Sequence, residues 1–223
     1  MIAGIVPASG ASSRMGSPKA LLDAGGRSFL ERVVGALATG GCSPVLVVVR
    51  DARSPVAAMA RKVGAEVVEN PDPSEGPIGS LRRALEALSA GDTDACVLHP
   101  VDHPLVRGET VAALVRAFRE ASASTAPTPK AEASASMAPA DPPPIVVPTL
   151  DGKRGHPVLF SARVFPELME DGLEEGARTV VHRHLDSLLE VPVRDEGILV
   201  DIDTLPEYRR RFPDAYRKRF QSR

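Results

Sequence analysis

Short apolar runs alternate with longer amphipathic segments through most of the chain, and this alternation limits the folds that it can adopt. Four runs rich in apolar or β-branched residues have the length of buried strands: residues 2–6, 45–49, 66–68 and 95–99. Each is followed by a segment with helical periodicity, at residues 29–38, 56–63, 78–88 and 110–121. Strands that alternate with helices are typical of a mainly parallel sheet with helices on both faces. The pattern therefore predicts a three-layer α/β fold with a mostly parallel sheet.

Residues 122–144 interrupt the alternation. They are almost only Ala, Ser, Thr and Pro, with few charges, and such a segment cannot bury enough apolar surface to become ordered. We therefore predict a disordered surface insertion. The pattern then resumes with an apolar run, a strand, a helix and a further apolar run, at residues 145–148, 158–161, 177–185 and 198–202.

The C-terminal region from residue 208 onward is rich in Arg with spaced aromatic residues, which predicts an exposed amphipathic helix. We predict one domain over residues 1–213 and a basic tail over residues 214–223. Lys and Arg number 27 against 29 acidic residues, a formal net charge of −2, so no overall positive field favours nucleic acid as a partner.

The two cysteines, Cys42 and Cys96, lie in or beside apolar runs. This placement favours buried thiols in a reducing compartment over a disulfide or a zinc site. No apolar stretch approaches the length of a membrane span, and no charged and apolar leader opens the chain. We therefore expect a cytoplasmic protein with no membrane partner.

A Gly/Ser-rich loop follows the first apolar run, with the sequence Pro-Ala-Ser-Gly-Ala-Ser-Ser-Arg-Met-Gly-Ser-Pro-Lys over residues 7–19. Such a loop can direct backbone N–H groups and hydroxyls at one point, while Arg14 and Lys19 add positive charge, as a triphosphate requires. Its spacing is neither that of a P-loop nor that of a dinucleotide fingerprint. The plain alternative is a glycine-rich turn with two solvated cations.

Asp102 follows the predicted strand at residues 95–99. The carboxyl ends of parallel strands form the ligand crevice of an α/β sheet, so Asp102 should face the same crevice as Lys19. A lone carboxylate there suits Mg²⁺, which takes one or two protein carboxylates plus phosphate oxygens and water. On spacing alone, an acid in a turn between Pro100 and Pro104 is an equally good interpretation.

A second acidic pair, Asp201 and Asp203, falls at the predicted end of the apolar run at residues 198–202. Alternate side chains on a strand point the same way, and only one of them need reach a metal. Capping of the following helix is the competing interpretation, and it suits Asp203 better than Asp201.

These segments resemble the signature motifs of the molybdenum cofactor cytidylyltransferases and guanylyltransferases. The family loop, L-A-A/G-G-x-S-x-R-M-G-x-P/D-K, is matched by Ala8, Gly10, Ser12 or Ser13, Arg14, Met15, Gly16, Pro18 and Lys19. Pro7 and Ser9 depart from it, and Ser9 stands where the family helps to read the base. The metal motif D-x-P-L-V is matched from Asp102, with His103 at its variable position as a substrate contact or a packed neighbour.

Further matches follow in the family's order. Residues 201–204 resemble a D/N-I-D/N-T motif, and residues 70–81 resemble the base and ribose loop N-x-x-x-x-E-G-x-x-x-S-L. Residues 152–160 resemble G-x-R-G-N/H-P-V-L-F of the cytidylyl branch, which flanks the acceptor site. A G-A-R sequence at residues 176–178 also resembles the family pattern.

The resemblance implies a Rossmann-like nucleotidyltransferase fold with a mixed, mostly parallel sheet. It implies Mg²⁺-dependent transfer of a nucleoside monophosphate, with CMP from CTP favoured, to the phosphate of molybdenum cofactor, releasing pyrophosphate. Asp102 and Asp201 would hold Mg²⁺, and the catalytic residues would be Arg14, Lys19 and Asp102. The nucleotide would contact Ala8, Ser9, Gly10, Ser12, Ser13, Lys19, Asn70, Gly76 and Ser80. The acceptor would contact Arg154, Gly155 and His156.

Alternatives stay open at this point. They are a guanylyltransferase of the same pathway, a transferase for a sugar phosphate or another phosphorylated alcohol, and a non-catalytic protein that hands a cofactor to a partner. The expected ligands are a nucleoside triphosphate and a phosphorylated small molecule, with a molybdenum hydroxylase as a protein partner. Neither nucleic acid nor a membrane is expected.

Overall fold

The computed structural model describes residues 1–10, 17–88, 92–123 and 141–221. Eight strands lie within these ranges: β1 Ile2–Pro7, β2 Val45–Val49, β3 Glu66–Glu69, β4 Ala95–Leu98, β5 Ile145–Leu150, β6 Lys153–Arg154, β7 Val158–Ser161 and β8 Leu189–Pro192. The same ranges contain eight α-helices: α1 Phe29–Thr39, α2 Pro55–Lys62, α3 Pro77–Ala87, α4 Gly108–Ala123, α5 Phe165–Leu168, α6 Ala177–Arg183, α7 Leu205–Arg211 and α8 Pro213–Phe220. Across the described ranges, none of the helices combines the length and apolar character needed to cross a bilayer.

The strands form one sheet in the order β3-β2-β1-β4-β7-β5-β6, and β8 pairs with β5. Strands β1 to β4 are parallel to one another, whereas β7 is antiparallel to both β4 and β5. The predicted α/β class with a mostly parallel, mixed sheet is thus confirmed. Sequence periodicity missed β8 because its side chains alternate between half-buried and exposed over only four residues, which leaves no continuous apolar run.

Burial on both faces of the sheet explains the continuous apolar runs. In β2, Val45, Val47 and Val49 pack into the hydrophobic cluster under α1, α2 and α4, while Leu46 and Val48 pack into the cluster under α3, α5 and α6. Parallel strands covered on both faces need apolar side chains at every position. The helices therefore lie on both faces, as the alternation predicts.

Helix α1 begins at Phe29, after the Gly/Ser-rich loop of residues 7–19 and the 3-10 turn Lys19–Leu21. The Ser28 hydroxyl accepts a hydrogen bond from the Glu31 amide, and the Glu31 carboxylate accepts one from the Ser28 amide, so the two residues form a capping box. Gly4 of β1 allows α1 to approach closely, because a Cβ at this position would lie 3.1 Å from Leu37 Cδ1. These contacts hold the chain after the loop against the central strand.

The C-terminal region differs from the predicted single exposed helix. It forms α7 and α8, which separate at Phe212 and Pro213, because proline cannot continue the first helix. Tyr208 is fully buried beside Phe29, and its hydroxyl donates a hydrogen bond to the Asp23 carbonyl at 2.7 Å. Tyr208, Phe212 and Tyr216 therefore pack on the domain, whereas the arginines and Phe220 are exposed.

Two further predictions need correction. Residues 198–202 do not form a strand: a 3-10 turn over Glu196–Leu199 leads into extended chain. The helix α4 extends through Ala123, so the first two residues of the predicted 122–144 insertion are helical. Residues 124–140 of that insertion lie outside the described residues, and residues 141–144 lead into β5.

Both cysteines are buried free thiols, in agreement with the sequence-based expectation. Burial raises the pKa of the Cys42 thiol to about 12 and raises the pKa of Cys96 as well. Both side chains are therefore protonated at neutral pH and serve as packing groups of the core.

Candidate active site

A cleft with a volume of about 800 Å³ opens at the carboxyl ends of β1 and β4. Its walls come from the loop after β1, the turn before α3, the chain after β4, the segment before α6, and Asp201. Predicted site residues that line it are Ala8, Ser9, Gly10, Lys19, Gly76, Asp102, His156 and Asp201. Segments that are far apart in sequence thus meet in one cleft.

Two other predicted residues, Asn70 and Ser80, are not among the residues that line the cleft. Asn70 and Ser80 are buried behind Ser9, because the Ser80 hydroxyl hydrogen-bonds to that of Ser9 at 2.7 Å and accepts from Asn70 Nδ2 at 3.2 Å. This network orients Ser9 in the cleft wall. The predicted residues Ser12, Ser13 and Arg14 lie outside the described residues.

The predicted acceptor residues separate from one another. Arg154 is on β6, outside the cleft lining, and its Nε donates to Glu190 Oε1 at 2.6 Å. Gly155 is a close-packing position, because a Cβ there would lie 2.4 Å from the Ile198 carbonyl oxygen. Of the three, only His156 is among the residues that line the cleft.

Lys19 joins two acidic segments. It lies in a short 3-10 turn, Lys19–Leu21, and its Nζ forms an ion pair with Asp203 and lies 3.7 Å from Asp102 Oδ2. A backbone hydrogen bond of 2.9 Å from the Ile202 amide to the Asp102 carbonyl holds the two acidic segments side by side. The lysine, the last residue of the Gly/Ser-rich loop that is predicted to bind nucleotide (residues 7–19, the nucleotide loop), therefore lies between carboxylates.

The competing interpretation, that Asp203 caps the following helix, is wrong. Thr204 is the N-cap of α7: its hydroxyl accepts from the Glu207 amide, and the Glu207 carboxylate accepts from the Thr204 amide at 3.0 Å. The Asp203 side chain turns to Lys19 instead. Asp203 is thus a residue of the site whose role the sequence-based interpretation missed; its two-residue spacing from Asp201 was the available signal.

Asp102 has the electrostatics of a cation ligand. Burial raises the pKa of its carboxyl, Lys19 opposes this rise, and Asp203 adds to it. Its buried Oδ1 accepts no hydrogen bond from any described residue, and His103 Nε2 lies 3.9 Å away from it, beyond hydrogen-bond distance. A buried carboxylate oxygen without a partner is costly unless a cation or water satisfies it.

The donor set fits a magnesium ion. Within the described part of the chain, no group of three or more Asp, Glu, His or Cys side chains forms a closed cage for a metal. Mg²⁺ needs no such cage, since it commonly binds through one or two carboxylates plus water and substrate phosphates. Asp102 and Asp201, both in the cleft wall, offer that arrangement.

Two neutral histidines complete this side of the cleft. The rings of His103 and His156 lie 4.6 Å apart between centroids. Burial lowers the pKa of both imidazoles, to about 4 for His156. They are therefore uncharged at neutral pH and can offer hydrogen bonds but no positive charge.

His99, which directly follows β4, should make the fold sensitive to acid. It is fully buried, its Nδ1 donates to the Pro100 carbonyl at 3.1 Å, and burial lowers its pKa from 6.5 to about 3. Below pH 6.5, His99 binds a proton in the unfolded chain but not in the folded chain. The free energy of unfolding therefore falls as the pH is lowered from 6.5 towards 3. We expect a slope of up to about 1.4 kcal/mol per pH unit for this proton.

Urea unfolding of wild type and His99→Asn at several values between pH 7.5 and 4.5 measures this contribution. The slope of the unfolding free energy against pH should be shallower in His99→Asn, whereas His182→Asn on the exposed side of α6 should keep the wild-type slope. Equal slopes in wild type and His99→Asn would contradict the assignment.

Comparison with known proteins identifies the family. A family model described as MobA-like NTP transferase domain matches residues 4–188, which include the nucleotide loop, Asp102 and the segment before α6. The chain belongs to the MobA-like NTP transferase family. It is therefore a nucleotidyltransferase, and the resemblance predicted from the sequence motifs is confirmed.

Relatives of this family member carry different names. Nicotine blue oxidoreductase of Paenarthrobacter nicotinovorans is 28% identical over 208 residues, covering 92% of this chain and 94% of that protein. A 2-C-methyl-D-erythritol 4-phosphate cytidylyltransferase of Deinococcus radiodurans is 33% identical over 132 residues, 58% of this chain and 52% of that enzyme. A probable molybdenum cofactor guanylyltransferase of Mycobacterium avium is 33% identical over 124 residues, 55% of this chain and 60% of that enzyme.

Solved structures share the fold over nearly the whole chain. The Rv0371c protein of Mycobacterium tuberculosis H37Rv is 26% identical with a TM-score of 0.70, and the match covers 94% of this chain and 96% of that one. Its complex with manganese matches at 24% identity with a TM-score of 0.69, covering 95% and 97%. A nucleotidyl transferase of a Methanothermobacter species matches at 21% identity with a TM-score of 0.70, covering 98% and 99%.

Proposed function

We propose that this nucleotidyltransferase transfers CMP from CTP to the phosphate of molybdenum cofactor and releases pyrophosphate. The observation that carries this proposal is the meeting of Lys19, Asp102 and Asp201 in one cleft of about 800 Å³. One cation on a Gly/Ser loop suits the triphosphate, and two carboxylates suit a divalent metal. The cleft volume is within the usual range for sites that bind small molecules.

The chemistry needs positioning and charge neutralisation more than proton transfer. A phosphomonoester has a second pKa of about 6, so its oxygen is already ionised at neutral pH and can attack the α-phosphorus without a general base. The bond from the α-phosphorus to the bridging oxygen then breaks, and pyrophosphate leaves with its electrons. Lys19, with Arg14 as a proposed second cation, would stabilise the charge that develops on pyrophosphate.

A divalent metal fits this proposal. Asp102 and Asp201 would hold Mg²⁺, which supplies charge neutralisation of the phosphates when bound. The unsatisfied, buried Oδ1 of Asp102 supports that assignment. The neutral His156 would contribute a hydrogen bond to the acceptor side of the cleft.

We propose cytidine as the base because residues 152–160 resemble a motif of the cytidylyl branch. Relatives are named as both cytidylyl- and guanylyltransferases. Ser9 bears on the choice, since it departs from the family loop and hydrogen-bonds to Ser80 in the cleft wall. GTP is therefore the alternative donor.

A redox activity is the second candidate. The relative whose match covers 94% of its own length is named an oxidoreductase. The chain contains no G-x-G-x-x-G fingerprint for a dinucleotide, which argues against a nicotinamide site of the common type. This candidate can be tested beside the first.

Pyrophosphate release decides between these functions. The purified protein is incubated with Mg²⁺ or Mn²⁺, molybdenum cofactor and each of the four nucleoside triphosphates in turn, with the acceptor omitted as the control. Acceptor-dependent release with CTP alone is the expected result, and release with GTP alone would move the protein to the guanylyl branch. Absence of release with every triphosphate, together with oxidation of a reduced nicotinamide cofactor in a parallel assay, would overturn the proposed transfer.

A further inference from the structure

We propose that Arg178 receives the anionic group of the acceptor, in place of Arg154, the cation suggested by the sequence motif. This proposal rests on the proposed function, which brings two phosphate-bearing substrates into one cleft. It assigns the residues 173–178 segment as the acceptor side of that cleft.

The first step is the distribution of charge around the cleft. Among the described lining residues, two side chains are permanent cations, Lys19 and Arg178. Lys19 belongs to the nucleotide loop and lies between Asp102 and Asp203. A second phosphate would be repelled by the triphosphate unless another cation met it, so Arg178 is the described group positioned for that role.

The alternatives for an acceptor cation are excluded by their surroundings. Arg154 lies outside the lining and is engaged by Glu190 at 2.6 Å. His103 and His156 line the cleft, but their rings pack against each other at 4.6 Å between centroids, and an imidazole is not a permanent cation. They can orient an acceptor through hydrogen bonds without neutralising it.

Arg178 itself is available for a ligand. Its side chain is exposed, and across the described ranges its guanidinium makes no ion pair or hydrogen bond. Two acids precede it in the cleft wall, Glu174 and Glu175, and Glu175 Oε2 lies 3.1 Å from His182 Nδ1 of α6. A guanidinium presents a planar fork that matches two oxygens of one phosphate, which suits a phosphorylated acceptor.

The segment that carries Arg178 is fixed to the nucleotide side of the cleft. Arg82 of α3 donates from Nε to the Leu168 carbonyl at 3.1 Å, from Nη1 to Glu75 Oε2 at 3.2 Å, and from Nη2 to the Glu170 carbonyl. One guanidinium thus ties the end of α5 to the turn before α3. Fixed attachment reduces the entropy lost when the acceptor is ordered.

The close approach of Gly176 to Ile78 of α3 completes the attachment. Gly176 has φ of 60°, and a Cβ there would lie 3.4 Å from Ile78 Cβ. Leu173 and Val180 are buried in the same hydrophobic cluster as Ile78. The buried residues Leu173 and Val180 therefore fix the backbone before and after Arg178, while the Arg178 side chain lies in the cleft wall.

Steady-state kinetics of Arg178→Ala, Arg178→Lys and the matched control Arg154→Ala test the assignment, with the triphosphate that supports wild-type turnover and molybdenum cofactor as acceptor. We expect Arg178→Ala to raise the acceptor KM by about tenfold or more and to change the triphosphate KM by less than about twofold. Arg178→Lys should recover part of the loss, and Arg154→Ala should behave as wild type. An unchanged acceptor KM in Arg178→Ala, or an equal rise in the triphosphate KM, would overturn the proposal.

Equilibrium dialysis with molybdenum cofactor and no nucleotide separates this inference from the proposed transfer. Binding to wild type and Arg154→Ala that is lost in Arg178→Ala supports the acceptor site even if no turnover is found, in which case the transfer reaction alone fails. Equal binding to wild type and Arg178→Ala, or no binding to wild type, would overturn the role of Arg178.

Discussion

Asp102→Asn is expected to lower nucleotidyl transfer by at least about 100- to 1,000-fold, the usual loss when a group that stabilises developing charge is removed. Asparagine keeps the shape of the side chain but removes the negative charge that would hold a divalent metal. The charge that is lost is that of a carboxylate whose buried Oδ1 accepts no hydrogen bond from the described residues. Loss of kcat, rather than weaker binding of the acceptor, should dominate.

The same substitution should leave the fold intact or stabilise it slightly in metal-free buffer. Burial raises the pKa of the Asp102 carboxyl, which means that the ionised form is less favourable in the folded chain than in the unfolded chain. At neutral pH the ionised carboxylate therefore destabilises the folded chain, and the neutral amide removes this destabilisation. Lys19 keeps its ion pair with Asp203.

Urea unfolding and pyrophosphate release measured on Asp102→Asn separate these two effects. Asp94→Asn is the matched control, since Asp94 is exposed and pairs with the N-terminal amine at 2.8 Å. Added Mg²⁺ and triphosphate should raise the Tm of wild type and of the control more than that of Asp102→Asn. A fully active Asp102→Asn enzyme would refute the metal-binding role.

Lys19→Met is expected to reduce turnover by at least about 100-fold, with a rise in the triphosphate KM, because the described cation of the nucleotide loop is lost. Unlike Asp102→Asn, it should also destabilise the protein. Lys19 stands between Asp102 and Asp203, so its removal leaves two carboxylates facing each other without their shared cation. Since Asp203 is partly exposed, we expect a loss of about 1–2 kcal/mol, less than for a fully buried pair.

The pH dependence of this loss gives an independent test. Lys19 lowers the pKa of Asp102, so this pKa should be higher in Lys19→Met than in wild type. The stability difference between the variant and wild type should therefore become smaller as the pH falls and the Asp102 carboxyl is protonated. Urea unfolding at pH 7.5 and pH 5 measures this, with Lys19→Arg as the charge-preserving comparison and Lys62→Met, an exposed lysine of α2, as the control. A deficit that grows with acid would argue against the proposed charge arrangement.

Local patterns were sufficient for much of the fold. The continuous apolar runs that became β1, β2 and β4 are predictable because a strand covered by helices on both faces needs an apolar residue at each position. The strand β8 was not predictable from its own residues, since only its pairing with β5 makes a strand of four alternating residues. The course of residues 198–202 was likewise set by contacts outside the segment, including the hydrogen bond to Asp102.

The site divides in the same way. The amino-acid sequence was enough to bring the Lys19 loop and Asp102 to one edge of the sheet, because loops at the carboxyl ends of parallel strands share a crevice. Other contacts depend on which distant segments meet. They are the ion pair of Lys19 with Asp203, 184 residues away, and the hydrogen bond from Arg154 to Glu190. No local periodicity encodes those meetings: side-chain charge acts over a few ångströms in space, and only the folded chain brings such groups within that range.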